Sequence, residues 1–293
     1  MTNEKPVCVV VGAGTKYSSN KAYFGTGNDE AFMPEVRWGL GGALPIQFSS
    51  AGYSVVILSR SKENLIDLQN HISGELEGSC AAIECNVTDP SSVKNAFDEI
   101  YKKHKKIDVL CYNAGYAKTP ESGKERIDNP IGGGLVENVD TSAFDTSYAV
   151  HASGILRVAK ATLPSMRKRG SGTLRGSGNT MSLRGGKGFG LNAPSKFAQR
   201  ALTQVMAQEY KEYGVHIAHI IIDGAIDAPG LRRILVDKGN SAMIKQEAEK
   251  PGSMFLNPKD IADSFVALAN QPPSVWTHEI SLTPSGITLG QRL

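Results

Sequence analysis

Short apolar runs alternate with amphipathic stretches along most of the chain. PVCVVV, YSVVIL, CAAIEC, KIDVLCY and VHIAHIII are nearly continuous in apolar residues, the pattern of strands buried on both faces. Between them, GLGGALPIQFSSA, ENLIDLQNHI, PSSVKNAFDEIYKKH, FDTSYAVHASGILRVAKATLPSM and KFAQRALTQVMAQEYKEY repeat apolar positions at helical spacing. Asp89-Pro90 and Asn257-Pro258 each set a capping side chain before a proline at the first helical position, marking two helix starts. Strands alternating with helices predict an α/β protein with a parallel sheet covered on both faces. No repeat, heptad run or compositional break divides the chain, so one domain is expected over 1–293. Two connections are too long for plain loops: about Thr15 to Trp38, and AKTPESGKERIDNPIGGGLVENV after the fourth strand.

Composition narrows the function only a little. The 293 residues carry a formal net charge of +3, too weak to indicate nucleic acid. The clusters KKHKK and RKRG close helices, where cations complement the dipole. No apolar run reaches the length of a membrane span, and the N-terminus carries no basic-then-apolar secretory signal. The cysteines Cys8, Cys80, Cys85 and Cys111 form no CxxC pair, and three lie in or beside the apolar runs. They read as reduced thiols and point to a cytoplasmic compartment. A small-molecule substrate is the expected partner, with no metal, membrane or nucleic acid.

One segment carries candidate chemistry. VVVGAG reads as a strand running into a glycine turn, yet GLGGALPIQF opens its helix only after a detour of more than twenty residues. With the detour excised, the order is strand, glycine turn, helix, strand, the order a dinucleotide site requires. Glycines let the backbone approach a pyrophosphate, and the helix N-terminus faces its charge. Gly12, Gly14, Gly39 and Gly41 form that set, with Leu40 between the last two. The next strand ends in Ser59-Arg60, with an arginine where a carboxylate would meet a free ribose hydroxyl. An arginine suits a 2′-phosphate, so NADP(H) is favoured over NAD(H), and Lys16 adds a second cation. A surface arginine at a strand end remains the alternative for Arg60.

With these elements in order, the chain resembles the short-chain dehydrogenase/reductase family nearly end to end. GAG…GLGG matches the family's glycine motif. NVTD, with Asn86 and Val87, resembles its adenine-contacting segment. YNAG, with Asn113, Ala114 and Gly115, matches the turn after the fourth strand. IIIDGAIDAP, with Gly224 and Ile226, resembles the segment after the sixth strand. The resemblance implies a Rossmann-type doubly wound parallel sheet in three α/β/α layers. It also implies a homodimer or homotetramer formed through the long helices near Ser142–Arg169 and Leu191–Tyr213.

The family's catalytic set is Asn, Ser, Tyr and Lys. Only the lysine matches, at Lys196; the resemblance puts Asn192 in the tyrosine position, Asn179 in the serine position and His151 in the asparagine position. The alternative tyrosine register lands on Phe189. The chain therefore looks like a divergent branch lacking the serine and tyrosine. Asn192 cannot ionise, whereas Asn179 can still donate an amide hydrogen. His151, Tyr116, Tyr148 and Lys196 are the candidates for a replacement acid, with His151 the best placed by alignment; the plainer readings are a hydrogen-bonding substitute in a helix for His151 and core or surface tyrosines for Tyr116 and Tyr148. Three readings stay open: an oxidoreductase with a non-standard active site, a redox-inactive nucleotide-binding sensor or scaffold, and a lyase, isomerase or cyclase on the same fold.

Overall fold

The computed structural model describes residues 4–14, 38–117, 134–229, 231–232 and 253–286. The detour, with Lys16, and most of the loop after the fourth strand lie outside them. Seven parallel strands form the main sheet: β1 (Val7–Val11), β2 (Ser54–Ser59), β3 (Cys80–Glu84), β4 (Val109–Tyr112), β5 (Gly172–Asn179), β6 (Val215–Ile222) and β9 (Glu279–Leu282). Their order is β3-β2-β1-β4-β5-β6-β9. A small pair, β7 (Ala225–Ile226) and β8 (Phe255–Leu256), lies beyond β6.

Helices α1 (Gly39–Ser50), α2 (Glu63–Asn70), α3 (Pro90–Lys103), α4 (Thr141–Tyr148), α5 (Gly154–Arg169), α6 (Ala193–Tyr210) and α7 (Pro258–Ala269) cover the sheet. Two apolar layers result. Phe97 and Ile100 of α3, Val158 and Leu163 of α5 and Met206 of α6 pack with Val9, Leu110 and Ile217 on one face. Leu44 and Phe48 of α1, Leu65 and Leu68 of α2 and Phe265 of α7 pack with Val10, Ile57 and Ile220 on the other. The expected three-layer, doubly wound fold is present. Asp89 and Asn257 cap α3 and α7 as read from the sequence, each accepting from a backbone N–H at 2.8 Å.

Strand β5 is absent from the strands read off the apolar runs. Its sequence, GTLRGSGN, carries three glycines and an arginine. Arg175 is nonetheless fully buried, donating to the carbonyls of His216 at 2.9 Å and Leu268 at 2.6 Å. Its Nη2 also donates to His216 Nδ1 at 2.8 Å, which leaves the His216 proton on Nε2, facing the Thr277 carbonyl. Neutral acceptors thus hold the two terminal nitrogens of a cation inside the core, while its buried Nε has no partner among the described residues, and burial lowers its pKa to about 10. Gly176 and Gly178 leave the space that the His219 ring of β6 occupies: a Cβ on Gly178 would lie 2.2 Å from His219 Nε2.

Candidate functional site

The strand order reverses between β1 and β4, which opens a crevice at their C-terminal ends. The β1 turn enters it with Gly12 and Gly14 at φ +79° and +100°, conformations that L side chains rarely adopt. Close approach demands glycine here as well. A Cβ on Gly12 would sit 2.4 Å from Ala114 N, and one on Gly41 would sit 2.5 Å from Gly14 O. Gly14 N donates to Gly41 O, and Asn113 Nδ2 donates to Gly12 O at 3.1 Å. The turn, the start of α1 and the YNAG segment therefore lock together across the detour. Trp38 gives α1 no side-chain cap, and the first turn carries no acidic residue. Among the described residues no side chain caps its N–H groups, and a dinucleotide pyrophosphate fits this cradle.

The other cofactor candidates line the same edge. Ser59 ends β2 half-buried, and Arg60 beside it is exposed. Asn86 Oδ1 accepts from the N and Oγ1 of Thr88, which leaves its amide nitrogen unpartnered among the described residues. Val87 is buried, and its carbonyl takes Arg157 Nη1. Gly224 and Ile226 sit at β7, where a Cβ on Gly224 would meet Pro284 and Leu256. Ala228 packs toward Gly39, 3.3 Å from where a Cβ of that glycine would lie.

Around the lysine, the structure gathers a buried polar network. Between α4 and α5 the helix widens into a π-turn over Ala149–Ser153, and His151 lies on it, 1% exposed. Tyr116 N donates to His151 Nε2 at 3.2 Å, so the ring proton sits on Nδ1 and points to Ser195 Oγ at 2.9 Å. Ser147 Oγ donates to Asn192 Oδ1 at 2.5 Å, and Asn192 Nδ2 donates to the Tyr116 carbonyl at 3.0 Å. The network is closed and uncharged. Burial, reinforced by the Lys196 charge, holds His151 well below its usual pKa. That direction and the closed network favour His151 as a hydrogen-bonding substitute over His151 as a replacement acid. Tyr148 is exposed and does not share its face; Ser147, one residue earlier, fills that position. Tyr116 contributes backbone atoms to the network rather than its hydroxyl.

Lys196 is 6% exposed, and its Nζ donates to the Ser177 carbonyl at 3.2 Å and Gln199 Oε1 at 2.9 Å. Neither bond pairs it with a carboxylate, and burial lowers its pKa to about 7. Two residues beyond Ser177, Asn179 lines a cavity of about 770 Å³ with Met181, Arg184, Lys187, Phe189 and Ile222. Asn179 Oδ1 is taken by Met181 N, and its Nδ2 has no partner among the described residues. Asp223, between the lining residues Ile222 and Gly224, accepts from Thr180 Oγ1 at 2.6 Å. Sequence reasoning missed Ser147, Ser195, Gln199 and Arg184. The spacing Ser147-x-x-x-His151, which places two polar groups one helical turn apart, was the available signal.

Residues 36–236 match the family model described as short chain dehydrogenase. The chain belongs to the short chain dehydrogenase family. Among relatives, 3-oxoacyl-acyl-carrier-protein reductase FabG of Thermotoga maritima is 23% identical over 251 residues, covering 86% of this chain and 94% of that protein. Actinorhodin polyketide ketoreductase with NADPH superposes with a TM-score of 0.75 at 17% identity, over 96% of this chain and 97% of that one. ElxO with NADP bound gives 0.72 at 22% identity, over 95% and 96%. In this short chain dehydrogenase, no helix among the described residues is long and apolar enough to cross a membrane.

Proposed function

We propose that the protein is an NADP(H)-dependent reductase that lacks the family's serine and tyrosine and uses Lys196 as its proton-carrying group. The observation that carries this reading is the buried Lys196 ammonium, without a carboxylate partner among the described residues, with its pKa brought to about 7. A group with its pKa at the working pH is the efficient choice for general acid catalysis. NADPH, when bound, supplies the hydride. Gly12, Gly14, Gly39, Leu40 and Gly41 hold its pyrophosphate, Arg60 and Lys16 take its 2′-phosphate, and Asn86 and Val87 border the adenine. Asn113, Ala114, Gly115, Gly224 and Ile226 form the wall toward the nicotinamide.

On the substrate side, the free Asn179 amide donates to the oxygen or nitrogen that gains charge, and Lys196 Nζ gives up its proton. Asn192, unable to ionise, keeps the β4 turn tied to α6. Relatives that bind NADP and NADPH on this fold support the cofactor assignment. The chain is further proposed to act as one domain in the cytoplasm, as a homodimer or homotetramer. Exposed Leu156, Phe197 and Val205 on α5 and α6 support that assembly.

A second reading, a redox-inactive NADP(H) sensor, is favoured by one observation: the Lys196 Nζ bonds to the Ser177 carbonyl and Gln199 Oε1 point into the protein. Spectrophotometric loss of NADPH against activated enones, imines and ketones separates the two. The reductase reading expects turnover that falls as pH rises above the pKa of Lys196 in the NADPH complex, which cofactor binding lifts from about 7 in the free protein. It also expects a loss of about 100-fold or more in Lys196→Met, with NADPH still bound. NADPH binding without consumption across the panel would leave the sensor.

A further inference from the structure

We infer that the substrate is a carboxylate, its head group held by Arg184 and Lys187 at the mouth of the cavity beside Asn179. This inference rests on the reductase reading above and names the substrate class for that site. The loop after β5, SLRGGKGFG, places both cations on the cavity wall, three residues apart. Between them, Gly185 has open space where a Cβ would be, so among the described residues nothing crowds it.

Among the described residues, Arg184 is incompletely used. A single nitrogen, Nη2, reaches both oxygens of Asp223, at 3.3 and 3.4 Å, while Thr180 holds the same carboxylate at 2.6 Å. The neighbouring pair shows what a satisfied fork looks like: Arg232 Nε and Nη2 meet the two oxygens of Asp227 at 2.6 and 2.7 Å. Arg184 therefore keeps N–H groups in the geometry that binds a carboxylate through two parallel bonds. Lys187 is exposed and has no ion-pair partner among the described residues. Beyond the cations, Met181, Phe189, Ile222 and Ala225 make the wall apolar. The site thus combines a cationic rim with an apolar body, which fits a small acid with a hydrocarbon or aromatic tail.

The test is calorimetric titration of phenylacetate and phenylacetamide into NADP⁺-saturated and cofactor-free protein. The acid is expected to bind at least about tenfold tighter than the amide, the gain of one charge-assisted contact. Arg184→Gln/Lys187→Gln should erase that preference, and Lys187→Gln, altered at an exposed site, should reduce it in a protein that folds normally. Equal binding of acid and amide, or a preference surviving in the double variant, overturns the inference. NADPH affinity is measured in parallel: its absence sinks the reductase reading, whereas its presence with no acid preference sinks only this one.

Discussion

Asn192→Ala is expected to lower stability by about 3 kcal/mol. The substitution removes the bond from Ser147 Oγ and the bond to the Tyr116 carbonyl. Each hydrogen bond is worth about 1 kcal/mol net, and a buried acceptor left unpaired adds about 1–3 kcal/mol. Asn192 is 2% exposed, so water cannot easily replace it. Ser147→Ala should cost about 1–2 kcal/mol by the same arithmetic. Because the two side chains share one bond and one network, their effects should not add: the double variant should lose less than the sum by about 1 kcal/mol. Urea unfolding of the four proteins measures this directly. A cost below about 1 kcal/mol for Asn192→Ala, or strict additivity, would show that the amide is not what ties α6 to the β4 turn. Asn192→Tyr breaks the same bonds and should likewise destabilise the fold.

Arg60→Ala should weaken NADPH by about tenfold and leave NADH unchanged in calorimetric titration; equal losses for both would remove the 2′-phosphate contact. Gly12→Ala should abolish NADPH binding and destabilise the fold, because the new Cβ overlaps Ala114 backbone atoms that cannot shift cheaply; a normally folded variant with wild-type affinity would contradict that. His219 is fully buried, and burial, helped by the Lys196 charge, lowers its pKa from the usual 6.5 to about 3. The unfolded chain takes up this proton below pH 6.5 and the folded chain does not, so stability falls on acidification through that window by up to about 1.4 kcal/mol per pH unit. His219→Leu should flatten the acid limb by that slope, and an unchanged limb would assign the loss to other groups.

The apolar runs disclosed five strands because continuous Val, Ile and Leu leave no other reading for short segments. They missed β5, whose signal is diluted by Gly172, Gly176 and Gly178 and whose buried Arg175 looks solvent-bound in sequence. Tertiary acceptors from β6 and α7 make that arginine tolerable, and no local pattern encodes them. β9 was similarly hidden, since EISL is short and begins with a glutamate that pairs with Arg200 at 2.7 Å. The glycine turn was legible because its backbone requirements are local. The network around His151 was not: whether a histidine is an acid or a neutral strut depends on burial and on which nitrogen accepts. Tyr116 N, thirty-five positions away, decides that.

The central claim is that Lys196 titrates near neutral pH and meets the bound cofactor. Proton uptake on NADPH binding tests it without any substrate. At pH 8 the free protein holds Lys196 mostly neutral, given its pKa of about 7. The family resemblance implies that Lys196 would hydrogen-bond the cofactor's ribose; such a bond favours the charged form, so binding should draw in a proton. Calorimetry at pH 8 in two buffers of different ionisation enthalpy should show uptake approaching one proton per NADPH in the wild type and none in Lys196→Met. Binding with no uptake, or uptake that survives in Lys196→Met, would contradict the account.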